Sequence, residues 1–204
     1  MHTQKNEIIR HAFALFSQYG LKRVSMDTIA SDLGVSKKTL YVHFATKEEL
    51  IKQGVRKVAD CFVDTFDRIL GQQHSPLIKL SLIFRTILQK MFKYDQSYFY
   101  TIRRYSPGVL QEVEALRQKI NEGYTRPLLQ EAQARGNLLP TLNLNMFIDT
   151  NLLIIDEAYL RLLSKYPALS LHEGYYHLVV YPIRGICTSV GAANYLTEIE
   201  QEQI

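Results

Sequence analysis

Cysteine is scarce in this 204-residue chain, with only Cys61 and Cys187, in different segments and without a metal-type neighbour. A disulfide framework or a thiolate metal site therefore does not organise the fold; buried free thiols in a reducing cytosol are expected. Long apolar runs are missing too. No stretch approaches the ~18 uninterrupted apolar residues of a membrane span, and the start, MHTQKNEIIR, lacks the apolar centre of a signal peptide. No segment shows the alternation and turn signals of a sheet. There is no G-x-S-x-G, no phosphate loop and no H-E-x-x-H. His172 and His177 stand too far round a helix to form a zinc pair, and Asp149 with Asp156 reads as a solvated acidic stripe. No enzyme chemistry, cofactor or metal is expected.

What remains is an ordinary globular composition, 47% hydrophobic, long enough to bury a sizeable core. The net charge of +4 is unevenly placed. Residues 1–58 carry 10 Lys and Arg against 5 Asp and Glu, while the rest of the chain carries 14 against 15. Basic charge at one end suits a polyanionic partner, although a solvated surface can show the same surplus. Charge alone does not decide the matter.

The stretch Ser25–Leu50, SMDTIASDLGVSKKTLYVHFATKEEL, decides more. Ser25 is placed to cap a short helix whose apolar side is Ile29, Ala30 and Leu33. Gly34 stops it where a left-handed backbone is cheap for glycine. Val35 can plug the small core. Ser36 can cap a second helix, Lys37–Phe44, anchored by Leu40 and Phe44. Thr46 and Glu49 form a capping box for a third. Two short helices joined by a glycine turn, the second rich in donors, describe a helix-turn-helix that reads DNA.

The run from Ile8 to Leu50 resembles the DNA-binding domain of the TetR family of bacterial transcription regulators. Ala12, Leu15, Phe16 and Gly20 carry the resemblance, with Ile29-Ala30, Gly34-Val35-Ser36, Thr39-Leu40-Tyr41, Phe44, Lys47-Glu48 and Leu50. His11 departs from a usual alanine and reads as a surface or seam residue; Lys38 departs from a frequent glycine and adds a charge to the reading helix. By matching positions, Lys38, Thr39 and Lys37 are the expected base readers. Tyr41, His43 and Lys47 are expected at phosphates, and Ser25 and Thr28 can reach phosphate as well. Ser36 belongs to the same set, although capping explains it sufficiently.

Further along, helices are expected over residues 3–19, 47–70, 76 to about 94, 97–105, 109–135, 143–165 and 171–200. Pro127 lies inside one of them and should remove a backbone bond and kink it. The long 47–70 helix joins the two halves of the chain mechanically. The fold class is thus all-α: a helix-turn-helix domain over 1–46, then a helical effector-binding and dimerisation domain over 47–204. The last helix is apolar nearly all round over Leu178–Val190, which suits either the middle of a large bundle or an oligomer interface; in a chain this small the interface is expected. The resemblance implies the same, since the family dimerises through a four-helix bundle of the last two helices of each subunit.

The resemblance also implies an effector pocket among the middle helices. Tyr98, Phe99, Arg103, Phe147 and Asn151 are candidates for it; tyrosines at helical spacing also serve simply as core. Asn151 sits in an apolar arc, where an unpaired amide costs ~1–3 kcal/mol, so it needs a partner across a dimer, within the subunit or on a ligand. The whole reads as a cytoplasmic homodimeric regulator, a repressor by resemblance, that binds a palindromic DNA operator and is released by a small-molecule effector. An activator, a helix-turn-helix module docking on protein, and a helical enzyme with a vestigial head are the alternatives.

Overall fold

The computed structural model describes the backbone of residues 2–92 and 107–202, with side chains except at residues 2, 3, 152–160 and 163. Helices α1 (His2–Tyr19), α2 (Met26–Asp32), α3 (Lys37–His43), α4 (Lys47–Leu70) and α5 (Pro76–Met91) come first. They are followed by α6 (Pro107–Ile120), α7 (Arg126–Ala134), α8 (Leu144–Lys165), α9 (Leu171–Tyr175), α10 (Tyr181–Gly185) and α11 (Ser189–Gln201). Among the described residues the only strand-like pairing is one antiparallel bridge, Leu138 to Cys187. The fold class is all-α, as expected; the helix expected over 97–105 lies outside the described residues.

The chain forms two compact units. The first gathers residues up to Cys61 together with 107–117. Ile8, Ala12, Phe16, Leu21, Ile29, Leu40, Phe44 and Leu50 make its core, and Val109 joins them from α6. Two glycines shape its turns. Gly20 ends α1 at φ +82° and Gly34 ends α2 at φ +67°, conformations that side chains resist. The Gly34 amide donates to the Ser31 carbonyl at 3.1 Å and the Val35 amide to the Ala30 carbonyl at 3.0 Å, so the turn satisfies two carbonyls that the helix end would leave open. Val35 packs half-buried on the core. His11 proves to be a seam residue, its ring bonded to Asp32 at the end of α2.

The second unit gathers Phe62–Phe92 and the residues from Gln118 onward. Its middle is α5, capped by Ser75 with Pro76 in the first turn. Leu77, Ile78, Leu80, Ser81, Ile83, Phe84, Leu88 and Met91 are all buried, an arc wider than one helix face. Neighbours on several sides explain it: α7, α9 and α11 all pack against α5. Phe62, Phe66 and Ile69 of α4 are buried, and Phe66 meets the Tyr124 ring edge to face at 5.2 Å.

Both prolines inside helical stretches follow a π-turn. Asn121–Thr125 is one such turn and Tyr176–Val180 the other. In each, the residue before the proline donates five positions back, Arg126 to the Asn121 carbonyl and Tyr181 to the Tyr176 carbonyl. A proline ring clashes with the carbonyl four residues earlier in a plain α-helix. Widening the turn moves that carbonyl aside, so the expected disturbance at Pro127 takes this form.

Three expectations need correction. The single helix over 171–200 is interrupted at residues 186–188, where the backbone pairs with the turn after α7. Leu139 donates to the Ile186 carbonyl at 3.0 Å and Thr188 to the Asn137 carbonyl at 2.9 Å. Thr188 then caps α11. Secondly, the apolar belt is not spent on a partner as a whole: Leu178, Val179, Val180 and Ile183 are buried inside the subunit. Thirdly, Cys61 is exposed while Cys187 is buried, and neither takes part in a disulfide. Cys61 stands one residue, about 100° of helix, from buried Phe62 and so points outward.

Candidate nucleic-acid interface

Helix α3 is held by one side and presents the other. Ser36 caps it, accepting from the Thr39 amide at 3.0 Å, and Thr39 Oγ1 lies 2.8 Å from Ser36 Oγ. Leu40 and Phe44 are fully buried beneath it. With the inner face fixed, Lys37, Lys38 and Tyr41 are exposed, and Thr39 and His43 are half-buried at its edges. The helix sequence KKTLYVH contains no acid. Tyr41 is 49% exposed and its neighbour Val42 is 71% exposed.

The helices around α3 add further groups. Ser25 and Thr28 are exposed and tied in a reciprocal capping box at the start of α2, with Thr28 N to Ser25 Oγ at 3.0 Å. Lys37 is bridged to Asp27 at 2.5 Å, a pairing that holds its ammonium protonated above the usual lysine range through the hydrogen bond. His43 reaches Gln4 of α1 at 3.4 Å. Asp27 stands in the first turn of α2, where a carboxylate suits the helix N-terminus and draws a cation.

Lys47 behaves differently from the others. Its ammonium donates to the Leu21 backbone carbonyl and sits 5.4 Å from the Phe16 ring centre. Burial holds its pKa below the usual lysine value. The Thr46 cap is present, with Glu49 N to Thr46 Oγ1 at 3.1 Å. Glu49 Oε1 accepts from Gln53 at 2.7 Å, which draws the carboxylate forward along the helix.

Of the effector-pocket candidates, Tyr98, Phe99 and Arg103 lie outside the described residues. Phe147 is half-buried on α8, and Asn151, one turn on, is 5% exposed. The second unit also holds polar core groups missed from sequence. Ser81 of α5 and Tyr195 of α11 share a hydrogen bond at 2.5 Å, and burial pushes the Tyr195 hydroxyl well above the usual tyrosine pKa. Near Ser81 and Arg85, the Tyr175 hydroxyl finds no hydrogen bond of good geometry; burial is the chief cause of its pKa of about 12. Asn121 Oδ1 and Thr125 Oγ1 of the first π-turn are likewise buried without a partner. A serine on the apolar face of α5 was the signal available.

Among the described residues no helix is long and apolar enough to cross a membrane, and no group of three metal-ligating side chains occurs.

Comparison with known proteins agrees with this arrangement. Residues 8–53 match the family model of bacterial regulatory proteins, tetR family. The HTH-type transcriptional repressor KstR2 of Mycolicibacterium smegmatis is 26% identical over 147 residues, 71% of this chain and 72% of that protein. An HTH-type transcriptional regulator of Staphylococcus aureus strain USA300 is 34% identical over 92 residues, 45% of this chain and 48% of that protein. In fold, a TetR/AcrR-family regulator from Thermobifida fusca matches with TM-score 0.69 at 24% identity, over 90% of this chain and 98% of that one. Residues 8–53 thus carry the DNA-binding region of the tetR family of bacterial regulatory proteins, and nine-tenths of the chain shares the fold of that solved regulator.

Proposed function

We propose that this protein is a ligand-responsive transcriptional repressor that binds a palindromic operator as a homodimer. One observation carries the reading: α3 is clamped by Leu40 and Phe44 on its inner side and elsewhere bears amines, hydroxyls, an imidazole and the exposed Val42, with no acid. Lys38, Thr39 and Lys37 read base edges in the major groove. Tyr41 and His43 meet phosphates, joined by Ser25 and Thr28 from α2. Lys47 supports this face from behind through Leu21. Ser36 acts as the cap that aims Thr39.

Two-fold symmetry places two reading helices in successive major grooves, about 34–36 Å apart. The last two helical stretches supply the dimer face: Met146 of α8, Tyr181 of α10 and Val190 of α11 are large apolar side chains left exposed. A small molecule held in the second unit, with Phe147 and Asn151 among its contacts, releases the DNA by favouring the conformation that fits it less well. Regulators in this reading work in the cytoplasm.

The test is selection of duplexes from a random pool by the purified protein, followed by sequencing. Enrichment of an inverted repeat is expected, and Lys38→Ala should relax its sequence at one position per half-site. No enrichment above background would overturn the reading in favour of protein docking.

A further inference from the structure

We propose that Val42 reads the C5-methyl group of a thymine in each operator half-site. The inference rests on the DNA-binding reading above and adds to it a specificity contact made without hydrogen bonds.

Helix geometry singles the residue out. At ~100° per residue, Lys38 and Val42 each lie roughly 160° round the axis from Leu40, one on either side of the point opposite. Leu40 is fully buried, so Lys38 and Val42 form the outermost ridge of α3, one helical turn apart. Lys37, Thr39, Tyr41 and His43 fall nearer the flanks. Val42 is 71% exposed, the largest exposure of a large apolar side chain among the described residues.

Its chemistry is out of place for a solvated ridge. A β-branched residue is a weak helix former. Val42 is absent from the apolar cluster that Leu40 and Phe44 join. Around it on α3 stand the Lys38 amine, the Tyr41 hydroxyl and the His43 imidazole, a setting that suits a polyanion and not an apolar protein surface. An apolar side chain within such a setting can recognise the one apolar feature of the major groove, the thymine methyl. Lys38, one turn earlier on the same ridge, can donate to the acceptor edge of a guanine nearby. The ridge therefore reads one acceptor-rich step and one methyl-bearing step in tandem.

The experiment uses the full-length protein and the duplex it selects from the random pool. Each thymine is replaced singly by deoxyuridine, which removes the methyl and leaves the base pair intact. One thymine per half-site should show roughly a three- to tenfold loss of affinity when its methyl is removed, the value of about one buried methyl group. The Val42→Ser variant should bind the thymine duplex about as weakly as the wild type binds its deoxyuridine form, and should no longer distinguish the two bases. A wild type indifferent to deoxyuridine at every position would overturn the proposal while leaving DNA binding intact. So would a Val42→Ser variant that keeps the full preference for thymine. If no duplex is selected at all, the DNA-binding reading fails and this one with it.

Discussion

Lys47 is tied to Leu21: the ammonium at the start of α4 donates to the carbonyl of a residue in the loop after α1, above the Phe16 ring. Twenty-six residues of chain are closed by that bond. Leu21 is itself 1% exposed, so its carbonyl has little access to water if the lysine is removed. Lys47→Ala should then destabilise the protein by about 1–3 kcal/mol, the range for a buried acceptor left without its donor. Urea unfolding followed by helical circular dichroism checks the size. A phosphate-contacting lysine would instead flatten the salt dependence of operator binding. We expect Lys47→Ala to weaken binding with its salt slope unchanged, and a flattened slope would return Lys47 to the phosphate set.

Glycine at position 54 is required by a side chain, and glycine at 191 by a backbone. A Cβ on Gly54 would fall 2.0 Å from the Phe13 ring, and one on Gly191 would fall 2.1 Å from the Asn137 carbonyl oxygen. Alanine gains up to ~1 kcal/mol of helix propensity at either site, but overpacking costs about 1–3 kcal/mol. A ring can turn aside more readily than a main-chain oxygen. Gly54→Ala should therefore be mildly destabilising and Gly191→Ala clearly so, as read from thermal midpoints. Equal or raised midpoints in both would show the contacts to be soft.

Alkali should loosen the second unit. Burial, aided by donation to Asp67 Oδ1 at 2.9 Å, pushes the Tyr124 hydroxyl up to about 12 from an ordinary 10.0. Burial also brings Tyr175 to about 12 and the Cys187 thiol to about 11 from 9.0. In each case the folded protein keeps a proton that the unfolded chain has lost. The associated stability is whole below about pH 9 for the thiol and pH 10 for the tyrosines, and disappears as pH rises through the folded values. Denaturation midpoints should fall between pH 9 and 12, and less steeply in Tyr124→Phe. A flat profile over that range would count against the burial of all three.

Oligomerisation has its own readout. Val190 is 69% exposed and Met146 is 65% exposed, one on each of the helical stretches proposed to meet a partner. A carboxylate at an apolar interface must be desolvated without a counter-charge. Val190→Glu and Met146→Glu should convert a dimer to monomers in light scattering while leaving the helical signal intact. Dimers that persist in both would move the interface elsewhere.

Much of the first unit was legible because its signals are local. Ser25, Ser36 and Gly34 act within three or four residues of themselves, and the same residues do so in the structure. Asn143 opens its helix by accepting from Met146 N, again a short-range contact. The unread features depend on chain segments far apart. Residues 186–188 carry no glycine or proline to announce a break; they leave the helix because Asn137 and Leu139 offer backbone partners. The Lys47 bond to Leu21 is of the same kind, a long side chain turned back to a loop whose position sequence periodicity does not encode. Cys61 is exposed because its phase on α4 sets it off the line of Phe62 and Phe66, which residue type alone does not convey.

The two wide turns bear on how this chain can change. Each holds one residue more than the α-helical turn it replaces. Deleting a residue from 121–125 alone would restore an ordinary turn and drive the Pro127 ring back onto a carbonyl it now avoids. Replacing Pro127 by alanine alone would leave the surplus residue in place with nothing to justify it. Made together, the two alterations yield an unbroken helix whose ends keep their present facing. The backbone thus builds epistasis into a single turn: steps that are unfavourable singly become acceptable as a pair.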